Sequence, residues 1–343
     1  MTAMTAAAPA SDRRPPNWGG PLTQGDYDML ERSWITRELA DQAMLRRVGA
    51  VEGREIVGQK GSRDCSGILI PYYWPGEPSP ISYRIRRDNP DLVQSLDGTM
   101  KQERKYLGAP GAANRLYVPP GVAPEQLADV TLPIIIVEGE KKALSLWRLA
   151  NYNSDRPRFI PIAIPGVWNW RGVVGKTDGK KGERLDVKGP IPDLGRIPWP
   201  GRTVYILFDT NVHSNDSVKA ARKGLARHLA TAGAAVKLVD LPEDCGVNDV
   251  DDLLAACGPE RVLTLIGEAT GGPRLQITRP PQFESRPTGL CRISRSGDVL
   301  KEVQLTNYTA AIKTNILLFQ PSQSDLLQSL EDKAYDKEIQ SVE

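Results

Sequence analysis

Two acidic residues follow buried-strand patterns at separate points of the sequence. Glu138 follows the apolar run 133–137, and Asp209 follows the run 203–208. Short uninterrupted apolar runs are typical of strands buried on both faces of a parallel sheet. The carboxyl ends of such strands form the ligand-binding edge of the sheet. Two carboxylates at that edge repel each other unless a cation lies between them, so the pattern predicts a divalent-metal site.

Further oxygen ligands could come from segments next to these strands. Asn211 offers an amide oxygen two residues after Asp209, although asparagine is also a common turn residue. Asp249, Asp251 and Asp252 follow the next predicted strand, and Asp249 could instead cap the helix after it. Glu138 and Asp209 could likewise serve only to stabilise the helices that follow them. Metal ligation and helix capping are both open for these side chains.

Basic residues are concentrated at three places, and each group could contact the phosphate backbone of a nucleic acid. Lys141 and Lys142 lie at the start of a predicted helix, where the helix dipole disfavours cations unless a phosphate lies nearby. The same residues could equally be solvated surface charges or be neutralised by acids of the fold. The candidate nucleic-acid-binding residues are Arg84, Arg86, Lys105, Lys141, Lys142, Lys180 and Lys181.

The composition excludes several classes of protein. The 343 residues carry a formal net charge of +2, and no apolar run approaches the roughly 20 residues of a membrane-spanning helix. The four cysteines form no Cys-x-x-Cys pair and the chain has two histidines, so we expect no zinc site and a reducing, cytoplasmic location. There is no Gly-x-x-x-x-Gly-Lys-Ser/Thr phosphate loop for ATP.

Alternating strand and helix patterns predict an α/β fold in which helices flank a parallel sheet. We expect a disordered lead (1–20), an N-terminal α+β region (21–130), the α/β domain (131–270) and a linker with an irregular tail (271–343). Strands are predicted at 132–137, 158–164, 203–208 and 234–240, and helices at 140–150, 216–232 and after Asn248 and Pro259. The sequence also predicts one helix over 25–48, an irregular segment over 166–201 and a hairpin over 289–303.

The motifs at the strand ends resemble the Toprim domain of primases, topoisomerases and some nucleases. More narrowly, they resemble the Toprim-like domain of phage and plasmid primase–helicase replication proteins, over about residues 22–269. The motifs are Arg84-Ile85-Arg86, Lys105-Tyr106-Leu107, Leu116-Tyr117-Val118-Pro119-Pro120, Glu138-Gly139-Glu140-Lys141-Lys142-Ala143, Pro165-Gly166-Val167-Trp168-Asn169-Trp170, Asp209-Thr210-Asn211 and Gly246-Val247-Asn248-Asp249-Val250-Asp251-Asp252.

The resemblance implies a magnesium site for phosphodiester chemistry, with Glu138 as acid/base and Asp209 as a metal ligand. Asn211 stands where the family places a second aspartate. The asparagine keeps an oxygen ligand but removes one negative charge, which should weaken magnesium binding. Segment 305–310 resembles the lead into a helicase domain, so residues 271–343 would include the truncated start of a downstream region. The ATP motor would then lie on a separate helicase.

The expected function is a magnesium-dependent, primase-like module that acts on single-stranded DNA during replication of a mobile genetic element. It would be a nucleotidyltransferase if it is an enzyme, and a Toprim nuclease is less favoured. The alternative is a non-catalytic nucleic-acid-binding or helicase-partner module with a degenerate metal site. A haloacid-dehalogenase-like phosphatase is disfavoured, because that fold requires Asp-x-Asp-x-Thr where this chain has Asn211 and His213.

Overall fold

The computed structural model describes residues 18–94, 98, 100–178, 183–242 and 246–269, and the backbone alone of 270–271, 282–286, 289–296 and 299–304. Internal contacts divide the chain into one unit that extends to Arg274 and a second that begins at Leu275. Most of the lead predicted at 1–20 lies outside the described residues, as do Lys180 and Lys181 and the segment after 304.

The first part of the chain builds a small antiparallel sheet. The elements of this part are α1 (Gln24–Glu31), α2 (Arg37–Gln42), β1 (Arg46–Val48), α3 (Ala50–Ile56), β2 (Gly67–Tyr72), β3 (Ser82–Arg87), β4 (Asp91–Gln94), β5 (Met100–Glu103), β6 (Tyr106–Leu107) and α4 (Pro124–Ala128). The strands of the sheet occur in the order β1–β2–β3–β6, and a separate two-stranded sheet pairs β4 with β5.

The prediction of one helix over 25–48 is wrong, because two separate caps divide this segment. Thr23 caps α1 through its side chain, and Thr36 caps α2 by accepting a hydrogen bond from the backbone N–H of Leu39. Between the helices Trp34 adopts φ 60°, which an α-helix cannot continue through. The last residues of this segment form strand β1, which pairs with β2.

The second part builds the α/β sheet. The elements of this part are β7 (Ile134–Glu138), α5 (Glu140–Asn151), β8 (Ile160–Ile164), β9 (Arg171–Asp178), β10 (Arg184–Pro190), β11 (Thr203–Leu207), α6 (Asp216–Thr231), β12 (Ala235–Val239), α7 (Val250–Cys257), α8 (Pro259–Gly267) and β13 (Thr270–Gly271). The strand order is β13–β12–β11–β7–β8, in which β8, β7, β11 and β12 run parallel and β13 runs antiparallel. The predicted α/β class, a parallel sheet flanked by helices, is confirmed.

The segment predicted to be irregular at 166–201 instead contains a β-hairpin. Strands β9 and β10 pair antiparallel, and a 3-10 helix, Pro192–Arg196, follows them. The ammonium of Lys176 lies 2.7 Å from Asp186 across the hairpin, and Val173 and Val174 are more than half exposed. The hairpin was not predicted because backbone pairing and surface charge hold it together, so its strands lack the apolar alternation that marks a half-buried sheet.

The small antiparallel sheet and the parallel sheet share one hydrophobic core. Ile68, Ile70 and Tyr72 of β2 belong to the same buried cluster as the apolar residues of β7 and β11. Tyr117 forms a β-bridge with Ala163, which places the connecting segment against the edge strand β8. Because burial of apolar side chains is the main stabilising term in folding, the two sheets depend on each other for stability.

The second unit contains a small antiparallel sheet of β14 (Gln282–Arg286), β15 (Gly289–Ser296) and β16 (Val299–Gln304). Strands β15 and β16 pair from Cys291 opposite Gln304 to Ser296 opposite Val299. The hairpin predicted at 289–303 is therefore confirmed. None of the helices in the described part of the chain combines the length and apolar character that a bilayer crossing requires.

Candidate functional site

Glu138 and Asp209 lie at the same edge of the parallel sheet. Strands β7 and β11 are parallel neighbours with Val137 opposite Leu207, so Glu138, one residue further on, and Asp209, two residues further on, emerge at the same edge. Glu138 is half-buried, and burial followed by the charge of Asp209 raises the pKa of its carboxyl. The strand pattern predicted this convergence, whereas the roles of the two carboxylates stay a prediction.

The carboxylate of Asp209 does not cap a helix. Asp209 precedes a 3-10 helix, Thr210–His213, but its side chain accepts no capping hydrogen bond from it. Its partner is Lys142, whose ammonium lies 2.8 Å from a carboxylate oxygen of Asp209. Burial raises the pKa of the Asp209 carboxyl, and the charge of Lys142 opposes that shift. Asp209 is thus held at the sheet edge by a long-range ion pair.

The start of α7 brings more acids to this edge. Asp249 caps α7 by accepting a hydrogen bond from the backbone N–H of Asp252 at 3.1 Å, and its other oxygen lies 3.5 Å from Lys142. Asp251 is 3% exposed and lies 3.3 Å from the ammonium of Lys141. One carboxylate oxygen from each of Asp249, Asp251 and Asp252 lies within 4.8 Å of the others. Asp249 therefore combines a capping role with a place beside the site.

This donor set fits a hard divalent cation such as Mg²⁺, which prefers carboxylate oxygen ligands. Oδ1 of Asp251 is buried and has no hydrogen-bond partner in the described part of the chain. A buried carboxylate oxygen without a donor is costly, and a cation would satisfy it. Asn211, the third predicted ligand, is exposed in the 3-10 helix, where its backbone oxygen accepts from Ser214 and Asn215.

A cleft of about 210 Å³ opens beside the carboxylates, where α5 begins. Several cationic side chains face it, and no carboxylate of the described residues lies within ion-pair distance of Lys105. Burial, followed by the charges of Arg86 and Lys141, lowers the pKa of Lys105. The lining residues are Arg84, Lys105, Tyr106, Glu138, Gly139, Glu140, Lys141, Lys142, Pro165, Gly166, Asp249 and Asp251.

Arg84 is fixed at this cleft by a buried acid that the sequence analysis did not single out. Glu140 is 1% exposed, and its Oε1 accepts hydrogen bonds from Nη1 of Arg84 at 2.6 Å and from the hydroxyl of Tyr72. The Arg84 guanidinium also lies 5.2 Å from the centre of the Tyr106 ring. A signal was present in the Glu-Gly-Glu motif, but only the tertiary structure shows which glutamate is buried.

The remaining predicted basic residues have different environments. Lys141 and Lys142 are paired with carboxylates, as described above, so they are not free surface cations. Arg86 lies in β3 opposite Tyr106 of β6, and its Nε is buried without a hydrogen-bond partner among the described residues. The predicted contacts of these residues with phosphate stay predictions.

In the metal-free protein, we expect the Glu138 carboxyl to titrate above the usual range for glutamate, because burial and Asp209 raise its pKa. The folded protein then holds this proton more tightly than the unfolded chain. The contribution of Glu138 to stability should therefore fall as the pH rises from the unfolded-state pKa through the folded-state pKa. NMR titration of the carboxyl carbon measures the shift. Asp209→Asn should lower the pKa, and an unchanged value would contradict the proximity of the two acids.

The comparisons with known proteins give one match to a family model over part of the chain and one structural similarity. A family described as a domain of unknown function (DUF3854) matches residues 125–261. The chain is also similar to the crystal structure of the Aquifex aeolicus primase, which contains its zinc-binding and RNA polymerase domains, with a TM-score of 0.47 and 18% sequence identity. That similarity covers 73% of this chain and 57% of the primase chain, so this chain spans less than two thirds of it. No curated protein matches.

The family match includes the acidic edge but only part of the cleft. Glu138, Asp209 and Asp249 lie within residues 125–261, whereas Arg84 and Lys105 precede that range. Of the four cationic side chains that line the cleft, Arg84 and Lys105 therefore lie outside the matched segment, whereas Lys141 and Lys142 lie inside it.

Proposed function

We propose that this chain is a Toprim-type, magnesium-dependent, primase-like module that acts on DNA during replication of a mobile genetic element. The observation that carries the proposal is the convergence of Glu138, Asp209 and the Asp249–Asp251 segment at one sheet edge beside a cationic cleft. Phosphoryl transfer requires both features, because charge must be neutralised at the reacting phosphate and the polyanionic substrate must be held next to it. The resemblance of the strand-end motifs to Toprim domains supports the same class.

The carboxylates have two separate tasks in this proposal. Asp209, Asp249 and Asp251 would hold Mg²⁺, with Asn211 as a further oxygen donor that the exposed 3-10 helix can offer. The bound ion supplies charge neutralisation at a phosphate oxygen. Glu138 would accept the proton of the attacking hydroxyl group, and its raised pKa suits a general base that later returns that proton.

The cleft would bind the phosphates of a nucleotide or of the template strand. Arg84 offers a planar guanidinium that can donate two hydrogen bonds to one phosphate, and its ion pair with Glu140 fixes its direction. Lys105 lies in the same cleft without a carboxylate partner within the described residues, so its charge is available for an anion. A single-stranded template is the simplest polymer for such a cleft, because its backbone can follow a basic groove.

A second candidate function is a non-catalytic nucleic-acid-binding or helicase-partner module. Two observations favour it: asparagine occupies position 211, and the Lys142 ammonium lies 2.8 Å from the carboxylate of Asp209. Both reduce the negative charge that a metal would experience. The cationic cleft would then bind DNA without chemistry at its edge.

A synthesis assay separates the two candidates. The full-length protein, alone and with a partner helicase, is incubated with single-stranded DNA, nucleotides and Mg²⁺, and new strands are resolved on a gel. Magnesium-dependent products would support the primase-like function, and shortening of the template would indicate a nuclease. DNA binding that persists unchanged in chelator, without synthesis or cleavage, would identify the binding module. Loss of that binding at higher salt would report contacts with the phosphate backbone.

A further inference from the structure

The ammonium of Lys142 lies beside Asp209 and Asp249, where a cation is needed to offset the charge of the two carboxylates. Its ammonium lies 2.8 Å from Asp209 and 3.5 Å from Asp249, and its side chain is 13% exposed. Burial alone would lower the pKa of Lys142, but Asp209 and Asp249 raise it above its usual range, so the amine is held in its charged form. Lys142 lies in the first turn of α5, where the helix dipole disfavours a cation, so the carboxylates account for its position.

The ammonium and a divalent ion would compete for the same oxygens. A magnesium ion lies about 2.1 Å from its oxygen ligands, so an ion bound by both Asp209 and Asp249 would fall within a few ångströms of Lys142. Two cations at that separation repel each other strongly in a partly buried site. The ammonium of Lys142 can move away from the metal into the cleft, because Lys142 is one of the residues that line it.

We propose that Lys142 is a tethered competitor of divalent metal at Asp209 and Asp249, and that metal binding moves its ammonium into the cleft. The proposal deepens the metal site of the proposed function and rests on it. In the metal-free state the lysine neutralises the acidic edge and stabilises the fold. In the metal-bound state it adds a positive charge to the cleft that contains Arg84 and Lys105. Lys142 therefore lowers the affinity of the site for metal, and the position of its ammonium differs between the metal-free and the metal-bound state.

Calorimetric titration of the full-length chain with Mn²⁺ tests the competition. We expect Lys142→Met to bind Mn²⁺ at least about tenfold more tightly than the wild type, because the competing charge is removed. Lys176→Met is the control: it removes one exposed positive charge, from an ion pair with Asp186 on the β9–β10 hairpin, and Lys176 does not line the cleft. It should change the affinity by less than about threefold, since solvent screens an exposed charge.

Amine labelling of the wild-type protein tests the movement without any substitution, so it is independent of whether the variant folds. The protein is treated briefly with an acylating reagent, with and without Mn²⁺, and modification of each lysine is measured by peptide mass spectrometry. Lys142 should be protected in the metal-free protein and become several-fold more reactive when metal is bound, because its carboxylate partners are then occupied. The reactivity of Lys176, which pairs with Asp186 outside the cleft, provides the internal reference.

The outcomes distinguish this inference from the proposed function. If the wild type binds Mn²⁺ but Lys142→Met binds it no more tightly, or if labelling of Lys142 does not increase with metal, the tethered-competitor proposal is overturned and the metal site stands. If neither protein binds Mn²⁺ at millimolar concentration, the metal site itself is absent and the proposed function fails with it.

Discussion

Replacing Glu138 by glutamine is expected to lower nucleotide incorporation on single-stranded DNA by about 100- to 10,000-fold, the usual contribution of a positioned general base. Glutamine has nearly the same shape as glutamate but cannot accept the proton of the attacking hydroxyl group. The substitution should not weaken the fold, because burial and Asp209 already disfavour the ionised form of Glu138. Activity should therefore fall without a loss of stability.

The measurement is the single-turnover rate of primer synthesis at saturating magnesium, together with the thermal unfolding midpoint of the same preparations. Glu77→Gln is the control, since Glu77 forms an exposed ion pair with Arg196 at 2.5 Å and does not line the cleft. Its synthesis rate should match that of the wild type. A Glu138→Gln protein that retains the wild-type rate within about threefold would show that Glu138 is not the acid/base.

Replacing Glu140 by glutamine is expected to lower the free energy of unfolding by about 3 kcal/mol, the lower end of the cost of breaking a buried ion pair from one side. Glu140 is 1% exposed and neutralises Arg84, whose side chain is 19% exposed. Glutamine keeps an oxygen for the Tyr72 hydroxyl but removes the charge. The Arg84 guanidinium would then be a mostly buried cation without a counter-ion, although its partial exposure limits the loss.

Urea unfolding followed by tryptophan fluorescence measures this change, and Glu77→Gln is again a matched control. That substitution breaks an ion pair whose two side chains are each 38% exposed, so it should cost less than about 1 kcal/mol. A similar loss in both variants would mean that the Glu140–Arg84 pair contributes no more than a surface pair. Because Glu140→Gln also frees Arg84 from its fixed direction, weaker DNA binding should accompany the loss of stability.

The acidic edge could be predicted from the sequence because its geometry follows from a rule of topology. Parallel neighbouring strands end at the same edge, so two acidic residues that follow such strands converge however far apart they lie in the chain. Some helix caps were also predictable, because they depend on local chemistry, although those at Thr23 and Thr36 were missed. Asn215 caps α6 and Asp249 caps α7, both through hydrogen bonds to nearby backbone N–H groups.

The counter-ions of the site could not be predicted, because they depend on how separate elements approach one another. Lys142 and Asp209 are 67 positions apart, and Arg84 and Glu140 are 56 positions apart. In each pair a cation and an acid from different elements come within ion-pair distance of each other. Sequence patterns record which side chains are buried on a face, but they do not record how α5 lies against the small sheet or against the end of β11. The pairing of Lys142 was therefore missed even though the residue itself was a candidate.

The division of the cleft between two stretches of the chain has a consequence for any shortened version of this protein. Glu138, Glu140, Asp249 and Asp251 lie within the matched family segment, whereas Arg84, Lys105 and Tyr106 precede it. An excised 125–261 fragment would keep these carboxylates but lose Arg84 and Tyr72, the hydrogen-bond donors to Glu140. Glu140 would then be a carboxylate without its counter-ion, so the fragment should be less stable than the same segment in the intact chain.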